Sequence, residues 1–199
     1  MVDCGDWFNG EGERFLQAVG VKSGNTVVDF GCGSGCYAIP AAKLVGATGT
    51  VYAVDENDDM LEKLKSRMMM YGVRNVVTIH GDETSLRVIG DDTVDVILAY
   101  DVLHFMDKVR RGRLYQEFHR ILKPEGLLSV YPKHNRDDSP MWELQELSVD
   151  DVIEEIEANG FKLVAKYRER LIHDESYEMG VVINFVKVNS YDCVHEEPL

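Results

Sequence analysis

The feature that most constrains this chain is the run VVDFGCGSG, residues 27–35. A strand-like stretch breaks there into a loop with glycine at every second position, Gly31, Gly33 and Gly35. Glycine permits positive φ and lets a ligand touch the main chain. A strand feeding such a loop, with a helix after it, is how doubly wound α/β folds hold nucleotides at the carboxyl ends of their strands. Taken alone, the loop is equally a tight strand-to-helix turn with no ligand. Its surroundings favour a site. Asp55 closes the second strand-like run, near the spacing of about 20 residues expected of a ribose-binding carboxylate. Gly81–Asp82 closes the third, giving a second acid at the same sheet edge.

The runs 26–30, 50–55, 76–80, 94–100 and 126–132 are β-branched or aromatic and nearly continuous in apolar character, as strands buried on both faces are. Helical patterns alternate with them. Residues 57–71 open on Asn57 or Asp58 as an N-cap and stop at Gly72. Residues 108–122 carry Leu114, Phe118, Ile121 and Leu122 at helical spacing, with Pro124 as the stop. Ser148 and Asp151 have capping-box spacing, and that helix ends at Asn159–Gly160. Residues 161–171 and 180–188 read as two strands joined by a polar loop. The fold class is therefore α/β: a doubly wound, mostly parallel seven-stranded sheet with an antiparallel last strand, in an α/β/α sandwich. One domain suits 199 residues. It divides into an N-terminal helical cap segment (1–22), a cofactor-binding half (23–132), a substrate-side half (133–188) and a tail (189–199), whose SYDCVHEEPL end is expected to be partly disordered.

Which ligand the loop takes is narrowed by what is missing. GxGxxG would need glycine where Cys36 stands, and GxxxxGK[ST] is absent. A ligand without phosphates, held by backbone and carboxylates, fits, and the acidic edge favours a cation. Thirty-five acidic against 21 basic side chains give a net charge of −14, which disfavours nucleic acid as a partner. Cys4, Cys32, Cys36 and Cys193 form no framework, and the stretch MVDCGDWFNGEGER shows neither a basic n-region nor an apolar h-region. No apolar run approaches a membrane span. A soluble, cytoplasmic protein is expected.

VVDFGCGSG, VYAVDENDDML, HGDE, DVILAYDVLHF and LKPEGLLSVYP together resemble the successive motifs of class I S-adenosylmethionine-dependent methyltransferases, over about residues 10–188. The small-molecule branch that includes the ubiquinone/menaquinone-biosynthesis and arsenite methyltransferases is the most similar. The resemblance implies S-adenosylmethionine as cofactor, S-adenosylhomocysteine as product and a small-molecule acceptor, or a single protein side chain. It also implies roles. Asp29 and the loop of Gly31, Cys32, Gly33 and Gly35 would hold the methionine part. Asp55 would take the ribose hydroxyls, Glu56 would pack on the adenine, and Asp82, with Glu83 close by, would accept from its amino group. Tyr100 would lie near the transferred methyl.

Other candidates carry two readings each. His104 is a general base or a packing histidine, and Asp101 is a helix N-cap or a site residue. Cys32 and Cys36 offer soft-metal chemistry, but packing is preferred and no metal is assigned. Lys133, His134 and Arg136 either recognise an anionic group or form a solvated loop balancing Asp137 and Asp138. His80 reads as a strand-end residue, and Met68–Met70 as core packing at a helix end. Trp7–Phe8 and Met141–Trp142 either close over an acceptor or staple local structure. Two other functions stay open: an NAD(P)-binding oxidoreductase-like protein, against which the missing glycine counts, and a non-catalytic S-adenosylmethionine-binding partner protein, against which the retained Asp55, Asp82 and loop count.

Overall fold

The computed structural model describes residues 5–188; Cys4, Cys193 and the 189–199 tail lie outside the described residues. Seven strands form one sheet: β1 (Thr26–Phe30), β2 (Thr50–Asp55), β3 (Val76–His80), β4 (Val94–Tyr100), β5 (Leu122–Tyr131), β6 (Phe161–His173) and β7 (Ser176–Lys187). Their order is β3-β2-β1-β4-β5-β7-β6, and β7 alone runs antiparallel to its neighbours. The order reverses between β1 and β4, so the crevice of a doubly wound sheet opens at their carboxyl ends.

Successive side chains of a strand point to opposite faces, and here both faces are covered. Val27, Val51 and Leu98 join one core with α1 (Gly12–Val19), α2 (Ala38–Val45) and α3 (Asp58–Tyr71). Val28, Val54 and Ile97 join the other with α4 (Lys108–Ile121) and α5 (Val149–Glu157). Continuous apolar strands follow from that double burial.

Helix ends match their sequence signals at several places. The Asn57 side chain accepts from the Asp59 and Met60 amides, and Gly72 closes α3 in the left-handed conformation. Ser148 and Asp151 form a reciprocal capping box on α5. Other expectations need correction. The helix 108–122 ends at Ile121, before Pro124. Chain direction changes at Leu122, which already pairs with Val94, and Pro124 falls in the irregular stretch before pairing resumes at Leu127. The polar loop between the last two strands is a two-residue turn, Asp174–Glu175, both with positive φ, as tight hairpin turns require. Met69 and Met70 are 78% and 75% exposed, so only Met68 of that run packs on the core.

Candidate active site

The loop after β1 is shaped by close approach. A Cβ on Gly31 would lie 2.5 Å from Val102, and one on Gly35 2.4 Å from Leu64. Gly35 thus makes the helix-packing contact one residue earlier than a GxGxxG loop would. Gly33 differs: its φ is +50°, and a Cβ there would meet nothing within 4 Å. Its amide donates to Asp55 Oδ2 at 2.7 Å, while Asp55 Oδ1 accepts from the Asn57 amide at 2.9 Å. The carboxylate is thereby fixed at the mouth of the loop.

Beside this loop lies a cavity of about 830 Å³. Gly31, Cys32, Gly33, Asp55, Glu56, Tyr100 and His104 line it. Asp29, Gly35, Asp82 and Glu83, expected at the same ligand, do not, for separate reasons. Asp29 is 2% exposed beneath the loop; burial, with the Asp55 charge adding, pushes its carboxyl up to about 7 against a hydrogen bond from the Ala38 amide. Gly35 faces α3. Asp82 caps the short turn Glu83–Val88, its Oδ1 accepting from the Thr84 amide and hydroxyl. Glu83 is buried against Arg110, which also reaches Glu56. Gly81, rather than Asp82, reaches the cavity wall. Arg110 lines the cavity too and was not singled out in sequence; a lone arginine in a helix gives no local signal.

Tyr100 presents its ring, not its hydroxyl. The Ser129 hydroxyl donates to Asn184 Oδ1 at 2.7 Å, so its oxygen is left to accept from Tyr100 at 2.6 Å, away from the cavity. Cys32 and Cys36 are free thiols. Burial pushes the Cys32 and Cys36 thiols up, so neither is a ready thiolate. Trp7 is core, packed with Phe15 and Tyr37, whereas Trp142 is 52% exposed and stacks on His104 at 4.9 Å.

The far wall comes from the hairpin of β6 and β7. Its turn residue Glu175 accepts from Arg67 at 2.6 Å and Ser34 at 3.2 Å, latching the tip to α3 and the glycine loop. Tyr37 donates to the Ile172 carbonyl at 2.9 Å and accepts from its amide at 3.0 Å. These contacts bring His173 to the cavity, where its Nδ1 donates to Asp101 Oδ2. Asp101 caps no helix. It sits at φ 57°, and His134 (65°) and Trp142 (51°) share that left-handed conformation nearby. Such strain in non-glycine residues gathers where surroundings enforce it, often at functional sites.

His134 is buried with its Nδ1 2.9 Å from the Ser139 carbonyl, and Lys133 is buried between Asp138 and Glu178 at 2.8 and 2.7 Å. The loop is buried as far as Asn135 and exposed at Arg136 and Asp137, and its basic charges are balanced as the second reading expects, Lys133 by Asp138 and Arg136 by Asp137 at 3.8 Å. His104 is 1% exposed, and burial, with His134 and His173 adding, pushes its imidazole down to about 3. A ring held neutral in this way takes up a proton reluctantly. His80 is the strand-end residue expected, its Nε2 3.0 Å from the Glu56 carbonyl. His173 had no sequence signal at all: its HDES context reads as loop, and only the hairpin register carries it to Asp101.

The sequence model of a family described as "Methyltransferase domain" matches residues 27–126, just over half of the chain. A 2-phytyl-1,4-naphtoquinone methyltransferase of Nostoc punctiforme is 29% identical over 154 residues, covering 74% of this chain and 66% of that protein. A demethylmenaquinone methyltransferase of Staphylococcus saprophyticus is 30% identical over 118 residues, covering 58% and 48%. The chain thus spans between about half and two thirds of the length of these curated relatives. Among solved structures, a SAM-dependent methyltransferase from Aquifex aeolicus shares the fold with a TM-score of 0.72 at 24% identity, over 89% of this chain and 90% of that one.

Proposed function

The chain belongs to the methyltransferase-domain family, and from that premise we propose that it is an S-adenosylmethionine-dependent methyltransferase acting on a small-molecule acceptor. The observation that carries the reading is the pairing of Gly33 with Asp55. A glycine with positive φ and open space above it adjoins a carboxylate pinned by two amides at the cavity mouth. Pinning leaves lone pairs on both Asp55 oxygens for a pair of vicinal hydroxyls. The cavity, about 830 Å³, suits a nucleoside-sized molecule together with a small acceptor.

In this reading Asp55 holds the ribose, Glu56 and Gly81 border the base, and Gly31–Gly33 contact the amino-acid part through backbone groups. Asp29, Asp82 and Glu83 act from behind: they hold the loop, cap the turn after β3 and anchor Arg110. S-adenosylmethionine supplies a methyl group already activated on sulfur. The chain's own task is to align an acceptor, keep water out and, for some acceptors, accept a proton. Tyr100, Trp142 and, from the latched hairpin, Ile172 provide apolar walls for that purpose. The relatives named for quinone substrates support an acceptor of the small-molecule class.

Calorimetric titration with S-adenosylmethionine, S-adenosylhomocysteine and NADH tests the proposal. Micromolar binding of the first two and none of NADH is expected. Asp55→Ala should weaken S-adenosylmethionine by roughly 1–3 kcal/mol, the worth of charge-assisted hydrogen bonds. Binding of NADH alone would replace this reading with a dinucleotide site.

A further inference from the structure

Across the cavity from the glycine loop, four side chains from three distant segments meet. They are Asp101 and His104 after β4, His134 after β5 and His173 at the end of β6. Ring centroids of His104 and His134 lie 4.6 Å apart, and those of His134 and His173 5.1 Å. One ligand atom each from Asp101, His134 and His173 falls within 4.8 Å of the others.

Their hydrogen bonds leave a gap of a particular kind. The Ser139 carbonyl beside His134 Nδ1 can only accept, so Nδ1 carries the proton and Nε2 of the neutral ring presents a lone pair. That lone pair faces Asp101 Oδ1 across 3.9 Å. Two acceptors set against each other repel unless a proton or cation lies between them. Asp101 Oδ1 is buried and has no hydrogen-bond partner. The same is true of His104 Nδ1, 3.6 Å away. A proton on His134 Nε2 or on His104 Nδ1 would point at Asp101 Oδ1, but at 3.9 and 3.6 Å neither closes to hydrogen-bond distance.

We propose that Asp101, His134 and His173, with His104 completing the set, bind a divalent first-row transition-metal ion. Imidazoles with one carboxylate are the donor set of zinc, cobalt and non-haem iron sites. The Ser139 carbonyl does what outer partners of metal-binding histidines do: it fixes the tautomer and aims the other nitrogen. Bonds of about 2.0–2.2 Å hold tetrahedral ligand atoms roughly 3.4 Å apart, so loading brings His134 Nε2 and Asp101 Oδ1 closer than their 3.9 Å and exchanges the His173–Asp101 hydrogen bond, with loss of its proton, for bonds to the ion. A cation in the same cavity would lower the pKa of a hydroxyl or thiol held beside it. The acceptor class is then a hydroxyl or thiol compound; this last step, unlike metal binding itself, rests on the methyl-transfer reading.

The test uses tag-free full-length chain, stripped with a chelator and titrated with Co²⁺, then Zn²⁺. One Co²⁺ per chain is expected, with visible absorption bands that Zn²⁺ abolishes. His134→Ala and His173→Ala should each weaken Co²⁺ by at least roughly 100-fold, with melting curves confirming the fold and S-adenosylmethionine binding retained. His173→Gln serves if the alanine variant does not fold. Asp55→Ala should give the mirror image, losing S-adenosylmethionine and keeping Co²⁺. Less than one Co²⁺ per chain, or Co²⁺ that survives the double His134→Ala, His173→Ala substitution, overturns the site. Loss of S-adenosylmethionine binding with Co²⁺ intact in the unaltered chain would overturn only the methyl-transfer reading.

Discussion

At the scale of single residues, Asp29 shows how a motif position can serve a site without touching it. Its carboxyl lies buried below the glycine loop with one oxygen lacking a partner, and its pKa rises from 3.8 to about 7 through burial and the Asp55 charge. The linkage has a definite sign. A carboxyl whose folded pKa is raised favours the folded state most below its unfolded value, and that contribution is lost as pH climbs through the folded one. Asp29→Asn removes the ionisation while keeping an acceptor for the Ala38 amide. The variant's stability relative to the unaltered chain should therefore increase as pH rises from about 4 to above 7. Urea midpoints measured across that range check it; a constant difference would mean that Asp29 is ionised throughout. The sequence marked Asp29 because it sits in the motif. It could not show that the carboxyl lies beneath the loop, since that depends on where α2 begins.

Among elements, the parallel half of the sheet and the pairing of the last two strands were legible, but how far the closing hairpin reaches was not. Strands β1 to β5 announce themselves because burial on both faces demands continuous apolar runs, as in VILAY of β4. Residues 161–171 read as a strand, but 172–173 and 176–179 read as polar loop until β7 pairs with β6 residue by residue as far as His173 and Ser176. The Asp174–Glu175 turn lacks the glycine that usually betrays a two-residue hairpin. Hence His173, Ile172 and the Glu175 latch were invisible as site residues. A second unannounced device joins α4 to α5. Arg111 donates to both oxygens of Glu155 at 2.7 and 2.8 Å and to the Met106 carbonyl at 2.7 Å, all close to the turn that carries His104. Removing one member of a buried pair strands the other charge. Arg111→Met should cost about 3 kcal/mol in urea denaturation, at the low end for buried pairs because Glu155 is partly exposed. Adding Glu155→Gln should recover part of that loss. A single-variant cost below about 1 kcal/mol would show that the pair behaves as a surface bridge.

For the whole molecule, the charge of −14 bears on the cofactor as well as on partners. Around the cavity Asp55, Glu56, Asp101, Asp174 and Glu175 outnumber Lys63 and Arg110, and Arg110 is already paired with Glu56 and Glu83. S-adenosylmethionine carries one more positive charge than S-adenosylhomocysteine and differs otherwise by a methyl group. A net negative field across the cavity therefore favours substrate over product, and part of that field comes from exposed acids that salt screens. The Debye length falls from about 10 Å at 0.1 M to about 3 Å at 1 M. Raising salt over that interval should weaken S-adenosylmethionine several-fold while leaving S-adenosylhomocysteine nearly constant, so the ratio of their dissociation constants shifts toward the product. Paired titrations at the two ionic strengths measure it. A ratio that does not move would locate the discrimination in groups that salt reaches poorly, such as Asp29 buried beneath the loop, rather than in the exposed acids. The excess of acid could be counted in the sequence; its concentration on one cavity could not, because it depends on a hairpin folding back over the glycine loop.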